Sequence, residues 1–260
     1  MPRRQSGIWI VVLLFLIAVA VAGYIGFRAR TPAVPTSAPA PARAPSEAVR
    51  PLGGDGAAID LPPLDQSDGV VAELVRKLSS HPQVAAWLTT KGLIRNFTVA
   101  VSNVAEGKTP AKLLSPLRPT APYRVVTRDG RIYADSRNDA RYRPLADAAA
   151  SIDAKAAASL YTTLKPRIDD AQRELGQPPG SFDATLERAI VLLLETPVRN
   201  APPPLQMKGI GYAYADAGEE SLTPAQKQLL RMGPDNARTV QAKLREIALA
   251  LGIPPQRLTR

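Results

Sequence analysis

Apolar residues recur at helical spacing through most of the chain beyond residue 60. Behind Asp68, a residue suited to capping a helix start, Val71, Leu74, Val75 and Leu78 follow the i, i+3, i+4, i+7 pattern of one buried stripe. Pro82 opens a short second helix carrying Trp87 and Leu88, which Gly92 stops. Over residues 93–105, Ile94, Phe97, Val101 and Val104 share a helical face, although the β-branched pair Thr98-Val99 also suits a strand. Asp153 starts a helix with Leu160, Leu164, Ile168, Ala171 and Leu175 on its stripe; Pro166 is expected to kink or divide it, and Gly176 to end it. Ser181 caps a segment whose Leu186, Ile190, Leu193 and Leu194 form a strong apolar face. Residues 224–231 and 236–251 read as a helix pair around Met232-Gly233-Pro234-Asp235. Val240, Leu244, Ile247, Ala248 and Leu251 face the core of the second, and Gly252 and Pro254 close it.

Two stretches break this rhythm. In residues 123–135, Asp129-Gly130 between β-rich flanks is the signature of a two-residue hairpin. Tyr123, Val125 and Thr127 then share one face, Arg124, Val126 and Arg128 the other. Residues 205–214 read as one strand with glycine irregularities. The fold class expected is α+β, mostly α-helical, with a small antiparallel sheet.

Upstream the pattern changes completely. Residues 8–27 contain no charge and are mostly apolar, and twenty residues at about 1.5 Å each match the roughly 30 Å hydrocarbon thickness of a bilayer. Trp9 and Tyr24 stand near the two ends, where amphipathic rings prefer the interface. Ala18-Val19-Ala20 and Ala20-Val21-Ala22 resemble signal cleavage sites, but the apolar run outlasts a signal core, so the reading is an uncleaved anchor. Arg3 and Arg4 form a short basic tail before the span, and long domains after a first span translocate largely regardless of charge. The body is therefore expected outside the cytoplasm. Residues 28–60, rich in proline and alanine, form a tether. The expected organisation is a basic tail over residues 1–7, a span over 8–27, a linker over 28–60 and a globular domain over 61–260.

Composition narrows the chemistry. The 260 residues carry a formal net charge of +10, so anionic partners come first: nucleic acid, anionic lipid or a carboxylate-bearing polymer. There is no cysteine, which removes thiolate metal sites and thiol nucleophiles, and the single histidine, His81, excludes a two-histidine metal site. His81 precedes Pro82 between two helices, where a capping role is the simpler reading. No catalytic residue, metal site or cofactor is expected. The positive charge is concentrated: residues 91–143 hold eleven Lys and Arg against four acids. Within it, Arg124, Arg128, Arg131, Arg137, Arg141 and Arg143 form the candidate anion-binding set, with a solvated face as the plain alternative. Tyr133 and Tyr142 could stack on bases or sugars, or belong to the core.

Asp183 and Glu187 lie one helical turn apart, with Glu195 further along that side. A carboxylate pair could serve glycoside hydrolysis, but negative charge in the first turn of a helix also has a purely structural use. The pair around residue 232 resembles a helix-turn-helix, with Arg238, Gln241 and Arg245 on its second helix; an ordinary helical hairpin is the commoner arrangement.

Three segments, "GLIRNFTVAVSNVAEGKTP", "GSFDATLERAIVLLLETP" and "QLLRMGPDNARTVQAKLREIALALG", resemble the bacterial domain-of-unknown-function family 3014 across nearly all of residues 61–254. The resemblance implies an envelope protein with an amino-terminal span and no assigned reaction. The reading is a single-pass protein of the bacterial inner membrane, held there through residues 8–27. Its periplasmic domain binds or scaffolds anionic lipid, cell wall or an envelope protein through the basic patch; nucleic acid is not an expected partner. The alternative is a cell-wall polymer hydrolase using acidic residues.

Overall fold

A computed structural model describes residues 51–56, 59–110, 113 and 117–258. The expected span at residues 8–27 lies outside them. No helix among the described residues is long and apolar enough to cross a membrane.

Among the described residues nine α-helices and four strands follow in order: α1 (Asp68–Arg76), α2 (Pro82–Trp87), α3 (Leu93–Ala105), β1 (Val125–Arg128), β2 (Arg131–Ala134), α4 (Asp139–Ala150), α5 (Ala154–Glu174), α6 (Phe182–Leu194), β3 (Pro204–Lys208), β4 (Gly211–Tyr214), α7 (Ala217–Ser221), α8 (Pro224–Leu230) and α9 (Pro234–Ala250). The apolar stripes become one core. α9 packs against α4, α5 and α6, and α3 lies across α5 and α6. Trp87, Leu93, Tyr142, Tyr161 and Phe182 are its largest fully buried side chains, and the Phe97 and Phe182 rings meet at 5.1 Å between centroids.

Several buried polar groups tie this body together. Asp183 accepts from the Tyr161 hydroxyl at 2.5 Å, pairs with Lys165 at 2.5 Å and takes the backbone N–H of Leu52 at 3.1 Å. Gln241 on α9 donates to the carbonyls of Leu193 and Thr196, closing the end of α6. Asn236 ties the start of α9 to α4 through the Asp139 carbonyl at 2.8 Å.

Several local expectations change. Asp68 does not cap its own helix: its carboxylate takes the N–H groups of Gly92 and Leu93, capping α3 instead. His81 does cap α2, through Nδ1 and the Gln83 N–H. Residues 93–105 form the helix that the face of Ile94, Phe97, Val101 and Val104 predicts, so the strand left open by Thr98-Val99 does not occur. α5 runs unbroken through Pro166, with Leu160, Tyr161 and Leu164 buried before it and Ile168, Ala171 and Gln172 after. Packing on both sides, with Lys165 held by Asp183 and Arg167 by the Leu61 carbonyl, outweighs the roughly 3 kcal/mol that an interior proline costs. Residues 205–214 form the hairpin β3–β4 rather than one strand, because Gly209 takes φ +58° and reverses the chain. The packed chain also begins inside the segment read as linker: Leu52 is buried in the core, and Gly53 and Gly54 donate to the carbonyls of Leu251 and Ala158.

The sheet is an antiparallel meander in the order β1-β2-β3-β4. Asp129 and Gly130, at φ 49° and 72°, make the tight turn between β1 and β2 that the sequence predicts. Ile132 pairs with Leu205 and Leu205 with Tyr214, so these side chains share one face with Val125 and Thr127. Only Leu205, Ala213 and Tyr214 of the sheet are buried, and none joins the main core.

Candidate functional site

Where the sheet meets the helices, two pockets adjoin and share Tyr123, Tyr214 and Arg231 as lining. The wider, about 840 Å³, is bounded by the 118–123 segment, the β3–β4 hairpin and the ends of α4 and α8. Three arginines, Arg118, Arg141 and Arg231, line it together with Tyr123, Tyr212 and Tyr214, and no carboxylate does. The second, about 210 Å³, lies toward α7 and the start of α9, and adds Asp135, Asp139, Arg199 and Glu219.

The polar groups here are only partly used. The half-buried Arg231 side chain makes no hydrogen bond or ion pair among the described residues. Its charge is nevertheless felt: burial pushes the Tyr123 phenol up to about 12, and Arg231 opposes that rise. The same opposition acts on Tyr214 and Tyr142, both raised by burial. Arg141 lies 5.9 Å from the centroid of Tyr123 and 5.3 Å from that of Tyr142, a cation–π arrangement. Its Nε donates to the Ala121 carbonyl at 2.8 Å, while Nη1 is buried without a hydrogen-bond partner among the described residues. Behind it, the Tyr142 hydroxyl and the Gln228 amide are close enough to affect each other, yet neither makes an aligned hydrogen bond.

The acidic residues differ in how far they are committed. Asp135 is held down to about 2 chiefly by side-chain and backbone hydrogen bonds from Arg137. Glu219 is buried and paired through one oxygen with Arg199, while its other oxygen, Oε2, is buried without a partner. The Asp139 carboxyl is raised to about 6 by burial and by the nearby Asp235 charge, with Arg143 opposing. It rests against Gly233, where a Cβ would sit 2.1 Å from Oδ1, and the φ of +87° there also favours glycine.

The structure separates the six arginines of the sequence cluster. Arg141 lines the cleft. Arg137 is bound to Asp135 at 2.5 Å. Arg124, Arg128, Arg131 and Arg143 are exposed and have no ion-pair partner among the described residues; Arg128 and Arg131 stand opposite each other at the β1–β2 tip. Tyr142 is core, and Tyr133 is half-buried in β2. Sequence reasoning missed Arg231 and Tyr214 as site residues. Arg231 sits at the end of a recognisable helix, but Tyr123 and Tyr214 reach it only through the tertiary fold, and no local period encodes that meeting.

The other candidates are engaged elsewhere. Asp183 serves Tyr161, Lys165 and Leu52, and Glu187, far from the solvated position a surface face would give it, is buried and paired with Arg257 at 2.6 Å. The two carboxylates therefore do not flank a common substrate position. Gln241 caps α6 and Arg238 holds Asn200, so α9 is a central helix of the body rather than a free recognition helix.

Neither the comparison with curated proteins nor that with solved structures finds a match. A family model described as "Protein of unknown function (DUF3014)" matches residues 93–248, from the first residue of α3 into the last turn of α9. All residues lining the two pockets fall inside that span, which covers well over half of the chain. The chain belongs to this family.

Proposed function

We propose that the domain is a binding module for an anionic group of an envelope component, taken up in the cleft between sheet and helices. In this reading residues 8–27 anchor the chain in the bacterial inner membrane, and the domain stands in the periplasm on its Pro/Ala segment. The observation that carries the reading is the convergence of Arg118, Arg141 and Arg231 with three tyrosines in a pocket that no carboxylate lines. Arg231 is half-buried and without a hydrogen-bonding partner among the described residues, so a carboxylate or phosphate entering there gains a charge-assisted bond without first breaking one of theirs. The tyrosine rings offer apolar walls with polar tips, suited to the body of a small ligand. The exposed arginines of the β1–β2 hairpin then supply attraction at longer range, screened beyond about 8 Å at physiological salt.

The test is calorimetric titration of the purified full-length chain with N-acetyl-alanine and with inorganic phosphate. The expected result is saturable binding of at least one probe that Arg231→Gln abolishes, while the exposed set Arg124→Gln, Arg128→Gln, Arg131→Gln and Arg143→Gln retains it. Loss of binding in the exposed set alone, with Arg231→Gln unaffected, would move the site to the hairpin surface.

A further inference from the structure

The cleft has two chemically opposite ends. At the wide end Arg118, Arg141 and Arg231 gather without an acid. At the narrow end lie Asp139 and Glu219, and the only other cation lining it besides the shared Arg231 is Arg199, which is already bound to Glu219 and Asp216. Asp135 at this end is fully occupied by Arg137 and is not counted. Two acceptors are left open. Glu219 Oε2 has no hydrogen-bond partner among the described residues, and its side chain is 5 % exposed and lines the pocket. The Asp139 carboxylate has neither a hydrogen bond nor an ion pair among the described residues. A buried carboxylate oxygen without a donor is costly, and it is a group that a ligand donor would satisfy.

Tyr123 and Tyr214 stand between the ends. Both line the wide pocket that holds Arg141 and Arg231 and the narrow one that holds Asp139 and Glu219. The acidic pocket, about 210 Å³, is smaller than the roughly 300–1,000 Å³ of sites for drug-sized ligands, so it suits one small group rather than a polymer segment.

We infer that the joined pockets take a zwitterion, an amino acid or short peptide, whose ammonium sits at Asp139 and Glu219 and whose carboxylate sits at Arg141 and Arg231. This deepens the anion-binding reading and rests on it. The acidic end selects against ligands that bring only negative charge, because such ligands leave Glu219 Oε2 unsatisfied and meet the charge of Asp139.

The experiment compares three probes on the full-length chain by calorimetry at neutral pH: alanyl-alanine with both termini free, its N-acetylated form and its C-amidated form. The free dipeptide is expected to bind at least about tenfold more tightly than either blocked form, the scale of one lost charge-assisted hydrogen bond. In Glu219→Gln with Asp139→Asn, the free and N-acetylated forms are expected to bind alike, with the N-acetylated affinity kept or improved. That retained affinity also reports that the double variant is folded. If the wild-type chain binds the N-acetylated form as tightly as the free dipeptide, the acidic end is not a subsite and the zwitterion assignment falls, while the anion-binding reading stands. If no probe with a free carboxylate binds, the zwitterion assignment falls, and the anion-binding reading falls with it only if inorganic phosphate also fails to bind.

Discussion

The helical body and the sheet obey different rules of assembly. In the body, several polar groups taken out of water are tied off. Asp183 has three partners, Gln241 closes the end of α6 and Asp68 closes the start of α3. The sheet consists of four- and five-residue strands, and only three of its residues are buried. At the seam between them the polar groups are left open: Arg231, Arg141 Nη1, Asp139 and Glu219 Oε2. Outside the seam Arg167 Nε is also buried without a hydrogen-bond partner among the described residues, but the seam gathers several open donors and acceptors around one cleft, and the proposed binding rests on that gathering.

The contrast can be broken most forcefully from the body side. Replacing Asp183 with Ala strands the Tyr161 hydroxyl and removes the counter-charge of Lys165, and breaking a buried pair in this way costs about 3 kcal/mol or more. For a domain of this size, that corresponds to a fall in Tm of roughly 6–12 °C. Arg231→Ala removes a side chain with no hydrogen bond or ion pair among the described residues and should leave Tm almost unchanged, within about 0.5 kcal/mol. Thermal unfolding of the two variants checks both. Equal losses would show that the seam is part of the same closed network.

Next in size is the entry of the chain. A fragment starting at residue 61 lacks Leu52, whose burial contributes about 1.5–3 kcal/mol, and loses its N–H bond to Asp183. Denaturant titration should place it below a fragment starting at residue 51 by about 2–4 kcal/mol. Indistinguishable midpoints would mean that residues 51–56 do not support the body.

The smallest effect belongs to the seam and carries a definite sign. Asp139 titrates near 6 in the folded protein, above the ordinary 3.8 of an aspartate, so folding favours its protonated form. Stability present below about pH 4 is therefore lost as pH rises through 6, whereas Asp139→Asn lacks that dependence. Because the group is partly open to solvent, the difference between the two proteins should stay below about 1 kcal/mol. Urea unfolding between pH 4 and 7 measures it. A difference that shrinks with rising pH would reverse the assignment.

What could be read from sequence follows the same division. The stripes of α3, α6 and α9 are visible because core-facing residues recur at the helical period, and Val101, Ile190 and Val240 are all fully buried. The first hairpin is visible because Asp129-Gly130 is a local turn signal, whereas Gly209-Ile210 is a weaker one, and β3–β4 read as a single strand. Asp68, Pro166 and Leu52 misled for a common reason. Each takes its role from residues distant in sequence: Gly92, the packing around α5, and Asp183. The charge cluster was legible as composition, but composition does not separate Arg128, exposed at a turn, from Arg141, placed over two tyrosines. Arg231 was invisible as a site residue because its neighbours Tyr123 and Tyr214 lie in the 118–123 segment and β4.

The most direct test of the seam as the binding site is to follow arginine side-chain Nε–Hε resonances while N-acetyl-alanine is added to the isotope-labelled full-length chain. Saturable shifts are expected at Arg231 and Arg141, with Arg128 and Arg131 moving little and only in proportion to ionic strength. Saturable shifts at Arg128 and Arg131, with Arg231 unmoved, would contradict the seam as the binding site.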